Sequence, residues 1–284
     1  MDIAVLGMGR MGQAIAGRLL DGGHRVRVWN RTMGKAGQLV SAGAEEMRSV
    51  AEAVDGVDVA ITMLANDTAV RAVALGELRT SLAPASSYVD CSTVSPTLSG
   101  ELAEAFPRFV AMPMLGAPAV VSAGQAVLLV GGDADHVDPL GPMISSLSNT
   151  VRRYDTAPQA LTAKLTNNLL LLSGVVALAE AFAVGRSGGL TNDQMSELLG
   201  ASPVVAPGLH NRFDNVLTGS PDGWWTAALG AKDAGLALEI ARAAGVDLPE
   251  AEVVRHLYET AASRHPDADI SVVTDLYRRE APTT

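Results

Sequence analysis

The stretch "GMGRMG", residues 7–12, constrains this chain more than any other. It follows a short apolar run, Ile3 to Leu6, and opens a helical pattern, "MGQAIAGRLLDGG". Glycines at 7, 9 and 12 between a strand and a helix fit a dinucleotide-binding turn. In such a turn the first glycine makes the bend and the second lets backbone approach a pyrophosphate. The third lets the helix pack on the strand. The helix N-terminus then offers free N–H groups and a partial positive charge to the phosphates. A purely structural turn is the alternative; the second strand pattern at the expected distance, "HRVRVWN", favours the binding site.

The rest of the first half repeats this alternation. "DIAVLG", "HRVRVWN", "VDVAITML" and "SSYVDCST" read as strands, with helical stretches between them at "GKAGQLVSAG", "SVAEAV" and "DTAVRAVAL". Further strands are predicted at "RFVAMPML", "QAVLLVGG" and "NTVRRYD". Nearly continuous apolar strands are expected where helices cover both sheet faces. After about residue 155 the strand patterns stop. Residues 158–189 read as one long helix ended by Gly188 and Gly189, apolar nearly all round and so expected to be buried on several sides. Shorter helices are predicted at "TNDQMSELLG", "LGAKDAGLALEIARAAG" and "LPEAEVVRHLYETAASR". The fold class expected is α/β: a Rossmann-type doubly wound sheet domain over 1–155, then an all-helical substrate and dimerisation domain over 156–284, built around the long interdomain helix.

Composition removes several classes of function. A net charge of −10 over 284 residues argues against non-specific nucleic-acid binding, which needs clustered Lys and Arg. The apolar run "NLLLLSGVVALAEAFAV" carries Glu180 and lacks basic flanks, so a buried helix is expected rather than a membrane span. The opening "MDIAVLG" has no secretory pattern, and the lone cysteine, Cys91, suits a reducing compartment, so a cytoplasmic location is expected. The five histidines have no metal-ligand spacing.

The end of the second strand bears on the choice of nicotinamide cofactor. NAD sites usually place an acid there for the ribose 2′-hydroxyl. This chain has Asn30, Arg31 and Thr32, with Lys35 just beyond. Arg31 is suited to pair with a 2′-phosphate, so NADP (NADPH) is expected; a solvated basic turn is the alternative. In "KLTNN", Lys164, Asn167 and Asn168 fall at i, i+3 and i+4 and share one helical face. A cation and two amides on an apolar helix are costly to bury unpartnered. They fit a proton-transfer site, because an apolar pocket can bring a lysine towards the working pH. The alternative is a lysine reaching solvent beside asparagines bonded to backbone.

With these motifs together the sequence resembles the β-hydroxyacid dehydrogenase family, which includes 3-hydroxyisobutyrate dehydrogenase, tartronate semialdehyde reductase and 6-phosphogluconate dehydrogenase. "GMGRMG" resembles the family's G-x-G-x-M-G, and "WNRT" its NADP-type continuation. "TMLAND" is similar to its M-L-P loop with Ala65 in place of proline, and "DCSTVSP" to its D-x-S-T-x-x-P. "KLTNN" is similar to its K-x-x-N-N, and "LGAKDAGLAL" to its K-D-x-x-L-A-L. The resemblance implies Lys164 as general acid in reduction and base in oxidation, with Asn168 and Asn167 orienting lysine or substrate. It implies a cofactor held by Gly7, Met8, Gly9, Arg10, Met11, Gly12, Asn30, Arg31, Thr32, Met63, Leu64, Ala65, Thr93 and Lys232. Ser92, Leu115, Gly116 and Ala117 would meet a small-molecule substrate in the interdomain cleft. Asp233 is equally a structural or a functional partner, and Trp224 and Trp225 either wall the pocket or pack in the core. The resemblance also implies a homodimer through the helical domains.

Two features depart from the family pattern. A serine-glycine-glycine turn that binds substrate carboxylate is here Leu115-Gly116-Ala117, whose leucine offers no side-chain donor. Glycines that precede the family's lysine are replaced by Asp155, Pro158 and Ala160. A bulkier or less acidic carbonyl compound is therefore expected. The first half, "GHRVRVWNRTMGKAGQLVSAGA", is also similar to imine reductases, though those typically replace the lysine kept here. A non-catalytic NADP-binding sensor or scaffold is the reading from another class; it would not need Lys164, Asn168 and Lys232.

Overall fold

The computed structural model describes residues 1–220 and 223–278. It contains two compact units, Met1–Lys164 and Leu165–Thr284. Nine strands among the described residues form one sheet: β1 (Asp2–Leu6), β2 (Arg25–Trp29), β3 (Glu45–Glu46), β4 (Val59–Thr62), β5 (Ser87–Asp90), β6 (Phe109–Ala111), β7 (Met114–Leu115), β8 (Val127–Gly131) and β9 (Thr150–Tyr154). Their order is β3-β2-β1-β4-β5-β6-β8-β7, with β9 paired to β8. The pairings from β3 to β6 are parallel. Strand β8 runs antiparallel to β6 and β7 and parallel to β9.

Strand side chains alternate between two cores, as the pleat requires. Ile3 and Val5 of β1, Val59 and Ile61 of β4, and Val89 of β5 join one cluster with the Arg10–Asp21 and Gly141–Leu147 helices. Ala4, Leu6, Ala60 and Tyr88 join the other, with the Val50–Val54 and Pro96–Ala105 helices. Helices thus cover both faces, and the doubly wound α/β domain expected from the sequence is present. Ala157, Ala160 and Leu161 also pack into this second cluster, which is why the first two turns of the long helix belong to the sheet unit.

Several elements differ in detail from the sequence reading. "RFVAMPML" is two strands, not one, because Pro113 has no N–H to give a ladder and its carbonyl instead accepts from Leu129 N–H at 2.9 Å. The Asp67–Ala72 helix continues through a π-turn, Val73–Leu78, kinked at Gly76. The two-residue β3, the short helices Pro118–Ser122, Ala134–Val137 and Gly141–Leu147, and the helix Pro96–Ala105 add to the predicted elements. The last begins where Ser95 Oγ accepts from Leu98 N–H and Pro96 occupies the first turn.

The second unit is helical. The long helix runs Ala157–Ser187, and Asn192–Leu199, His210–Thr218, Ala227–Ala243 and Pro249–Arg264 follow it. A 3-10 segment, Ile270–Tyr277, completes the unit. Leu172, Val175, Ala179 and Phe182 recur along one face of the long helix and pack into this unit's core. The opposite face is open: Leu170 is 77% and Val184 73% exposed. The expectation of burial on several sides is therefore met on one side only within this chain. By length and composition alone the helix could cross a membrane, with a mean hydropathy of 1.8.

Candidate active site

The sequence-predicted residues of the sheet unit gather at the carboxyl ends of its strands. Strand β1 lies between β2 and β4, where chain connections depart in opposite directions, and open α/β sheets bind ligands at that crevice. Gly7 follows β1 with φ +112°, a backbone conformation that favours glycine, and its N–H donates to Trp29 O at 2.8 Å. A side-chain carbon at Gly7 would lie 2.4 Å from Met63 O, and one at Gly12 would lie 1.8 Å from Gly7 O. Packing within the chain therefore requires both glycines. Gly9 is different. Its φ of −71° suits any residue, and an added carbon would meet nothing within 4 Å. It also caps the Arg10–Asp21 helix without a side-chain hydrogen bond. The open approach at Gly9 is the cradle a pyrophosphate needs, so the residues present fit a nicotinamide dinucleotide.

Asn30 does two local jobs. Its Oδ1 accepts from Met8 N–H at 3.0 Å and its Nδ2 donates to Thr32 O at 2.8 Å. It therefore ties the glycine loop to the end of β2, while Arg31 and Thr32 beyond it are exposed. Met8 is buried in the core, and Arg10 and Met11 begin the helix. After β4, Met63 and Leu64 are half-buried and Ala65 is exposed. Leu64 N–H donates to the buried Ser92 Oγ at 2.9 Å, which joins this loop to the segment that carries half-buried Thr93. Asp67 accepts from Ser95 N–H at 2.9 Å and from Ser95 Oγ, fastening the same segment further along.

Asp90, at the end of β5, is 1% exposed. Burial pushes its carboxyl up to about 6, against hydrogen bonds from Thr62 and Ser92 that pull it down. Burial also raises Tyr88 and Cys91. Nothing in a strand pattern separates a buried aspartate from an exposed one, so the burial of Asp90 is not legible in the sequence.

Leu115 closes β7 half-buried against the second core cluster. Gly116 follows with φ +150°, and Ala117 leads into the Pro118–Ser122 helix. Lys164, itself half-buried, sends its Nζ to Met114 O at 2.8 Å, beside that turn. Within the sheet unit, then, the lysine amine and the Leu115-Gly116-Ala117 turn are neighbours.

In the helical unit a second polar set forms. Asn168 is 3% exposed and its Nδ2 donates to Asp233 Oδ2 at 2.8 Å. Lys232 Nζ lies 2.9 Å from Asp233 Oδ1. Asp233 thus holds Asn168, predicted to orient lysine or substrate, and Lys232, predicted to contact the cofactor, on one buried carboxylate. Asn167 is exposed. Trp225 packs against the helical core, and Trp224 stacks on the guanidinium of Arg212, 4.1 Å from its ring centre. Among the described residues no cluster of His, Cys, Asp and Glu is arranged to hold a metal ion.

Comparison with known proteins relates the whole chain to nicotinamide-dependent dehydrogenases. Residues 2–155 match the family model for the NAD binding domain of 6-phosphogluconate dehydrogenase. Residues 159–277 match that for the NAD-binding region of NADP-dependent 3-hydroxyisobutyrate dehydrogenase. The chain is 32% identical to an NAD-dependent L-serine dehydrogenase of Pseudomonas aeruginosa over 97% of both chains. It is 30% identical to the 3-hydroxyisobutyrate dehydrogenase of the same organism over 98% of both. A solved 3-hydroxyisobutyrate dehydrogenase of Mycobacterium tuberculosis, with L-serine, superposes with a TM-score of 0.85 at 26% identity, covering 98% of this chain and 99% of that one. An imine reductase of Streptomyces aurantiacus matches at a TM-score of 0.65 and 20% identity over 98% of this chain and 100% of its own, a likeness of fold. The chain belongs to the β-hydroxyacid dehydrogenase family. It is a nicotinamide-dependent oxidoreductase acting on CH–OH groups, related to 3-hydroxyisobutyrate dehydrogenase.

Proposed function

We propose that the protein is an NADP-dependent dehydrogenase or reductase of a small β-hydroxy acid or the corresponding carbonyl compound, with Lys164 as its proton donor and acceptor. The observation that carries this reading is the contact of Lys164 Nζ with Met114 O, which keeps the amine at the carboxyl edge of the sheet bearing the glycine loop. The bound nicotinamide supplies or accepts the hydride. In oxidation Lys164, as the free amine, takes the hydroxyl proton while the carbinol carbon gives up hydride; in reduction the ammonium returns the proton to the carbonyl oxygen. Gly116 and Ala117 offer backbone N–H groups to the substrate's acidic end, whereas Ser92, expected from the sequence to meet substrate, is fully buried and braces the Leu64 loop instead. Asn168, held by Asp233, orients lysine or substrate, and Lys232, paired with the same carboxylate, meets the cofactor towards its nicotinamide end.

Preference for NADP rests on Arg31, exposed at the end of β2 with no acid beside it in "WNRT". Lys164→Ala should lower turnover by about two to four orders of magnitude while NADPH affinity stays near wild type. Arg31→Ala should weaken NADPH and leave NADH binding as it was. Full turnover by the lysine variant would remove the mechanism; NADPH binding by the wild-type chain with no turnover of any candidate substrate would leave the sensor or scaffold reading; equal loss of both cofactors would remove the preference. Leu115 favours a second reading, an imine reductase, because its apolar side chain gives a carboxylate no donor. NADPH consumption with cyclic imines, compared with small aldehydes and semialdehyde acids, decides between the two.

A further inference from the structure

Beneath the cofactor-facing loops runs a buried chain of polar groups. Tyr88 and Asp90 are two residues apart on β5 and so project to the same face. Thr62 of β4 is the register partner of Asp90. Thr62 Oγ1 donates to Asp90 Oδ1 at 2.7 Å. A hydroxyl carries one proton, so the Tyr88 hydroxyl, 2.8 Å from Thr62 Oγ1, is the donor of that second bond. Asp90 Oδ1 also accepts from Ser92 N–H at 3.0 Å, and Ser92 Oγ accepts from Leu64 N–H at 2.9 Å. The Met63–Leu64 backbone and side chain in turn form the wall against Gly7, where an added carbon would come within 2.4 Å of Met63 O and 2.8 Å of Leu64 Cδ2. The path is continuous from the core to the glycine loop.

Asp90 is an expensive residue to keep there. Its other oxygen, Oδ2, is buried and has no hydrogen-bond partner. A carboxyl held this way costs stability that an apolar side chain would not. Thr62 Oγ1 and Ser92 N–H both donate to the single oxygen Oδ1.

We propose that Asp90 is a positioning residue for the cofactor: its Oδ1, acting through Thr62 and Ser92, holds the Met63–Ala65 and Ser92–Thr93 loops in the geometry that binds the dinucleotide. The proposal rests on the reading of this crevice as the cofactor site. It requires an acceptor oxygen at residue 90 and a donor hydroxyl at residue 62, and no negative charge.

Equilibrium titration of NADPH and NADP+ against the full chain, followed by nicotinamide or protein fluorescence, tests it without any substrate. The variants are Thr62→Val, Thr62→Ser, Asp90→Asn and Asp90→Ala, each checked for folding by circular dichroism and its thermal transition. Thr62→Val and Asp90→Ala should raise Kd by about tenfold or more, whereas Thr62→Ser and Asp90→Asn stay within about threefold of wild type. A merely structural role would not be rescued in this hydroxyl- and carbonyl-specific way. Should Asp90→Ala fail to fold, the Thr62 pair decides alone. A folded Thr62→Val that binds as tightly as wild type overturns the proposal, as does a loss in Asp90→Asn equal to that in Asp90→Ala. Failure of the wild-type chain to bind either dinucleotide overturns the cofactor reading and this one with it.

Discussion

Gly9 and Asp90 show how differently single residues serve the site. Gly7 and Gly12 are dictated by neighbours inside the chain, whereas Gly9 answers to nothing in it. Gly9→Ala should therefore cost no more than about 1 kcal/mol of stability, the scale of a poorer helix N-cap, yet weaken dinucleotide binding. A melt and a titration on the same sample check both halves. Equal binding with unchanged stability would mean that no phosphate approaches there. Asp90 makes a prediction of opposite kind. Its carboxyl sits at about 6 in the fold against 3.8 for an unperturbed group, so between these values the native state holds the proton more tightly than the unfolded chain. Stability due to this group is full below the lower value and is lost as pH rises through the upper one. The two-unit difference corresponds to about 3 kcal/mol. Asp67 acts on it in the same direction as burial, while the hydrogen bonds from Ser92 and Thr62 act against it; its own charge adds to burial in raising Tyr88 and Cys91. Asp90→Asn should thus raise the melting temperature clearly at pH 8 and little at pH 4. Equal gains at both would contradict the assigned shift.

At the scale of elements, the strongest constraint in the helical unit lies between segments far apart in sequence. Arg212 on His210–Thr218 and Asp269 before Ile270–Tyr277 are each 2% exposed. Arg212 Nε donates to Asp269 Oδ1 at 3.0 Å, and the N–H groups of Trp224 and Trp225 both donate to Oδ2 at 3.2 Å. A side-chain carbon on Gly223 would fall 2.1 Å from the same carboxylate. Removing one partner of such a pair strands a buried charge, so Asp269→Ala should destabilise by about 3–5 kcal/mol. Chemical denaturation followed by tryptophan fluorescence measures it, and a change below about 1 kcal/mol would mean the pair behaves as an exposed one. None of this was visible in the sequence, where Arg212 and Asp269 sit in unremarked polar stretches. The parallel strands β1, β2, β4 and β5 and the long helix were legible, because continuous apolar runs and helical spacing are local signals. Strand β3, two residues long and acidic, carries no such signal. The break at Pro113 was present in the letters but was outweighed by the apolar run around it.

For the whole molecule, local motifs located the site more fully than they described its bonding. The glycine turn, Asn30, the Met63–Ala65 loop, Ser92 and Leu115 all lie at the carboxyl edge of one sheet, as their motifs imply. What the motifs did not reveal is that Asn30 braces Met8, that Lys164 rests on Met114 O, or that Asp233 joins Asn168 to Lys232. Each depends on residues distant in sequence meeting in space. The open face of the long helix, with Leu170 and Val184 exposed, bears on assembly. Large apolar side chains repeated along one helix face favour burial against a second copy. A homodimer is the expected species at micromolar concentration by light scattering, and Leu170→Glu with Val184→Glu should shift it towards monomer. A wild-type monomer at that concentration would contradict the expectation.

The account depends on the placement of one amine relative to the nicotinamide, and a crystal structure of the chain with NADP+ bound measures it directly. The prediction is a Lys164 Nζ turned towards the nicotinamide ring and within about one helix diameter of it, ~10 Å, leaving room for a small substrate between them. An amine turned into bulk solvent, or farther from the ring than that, would leave the fold and family standing and remove the proposed chemistry.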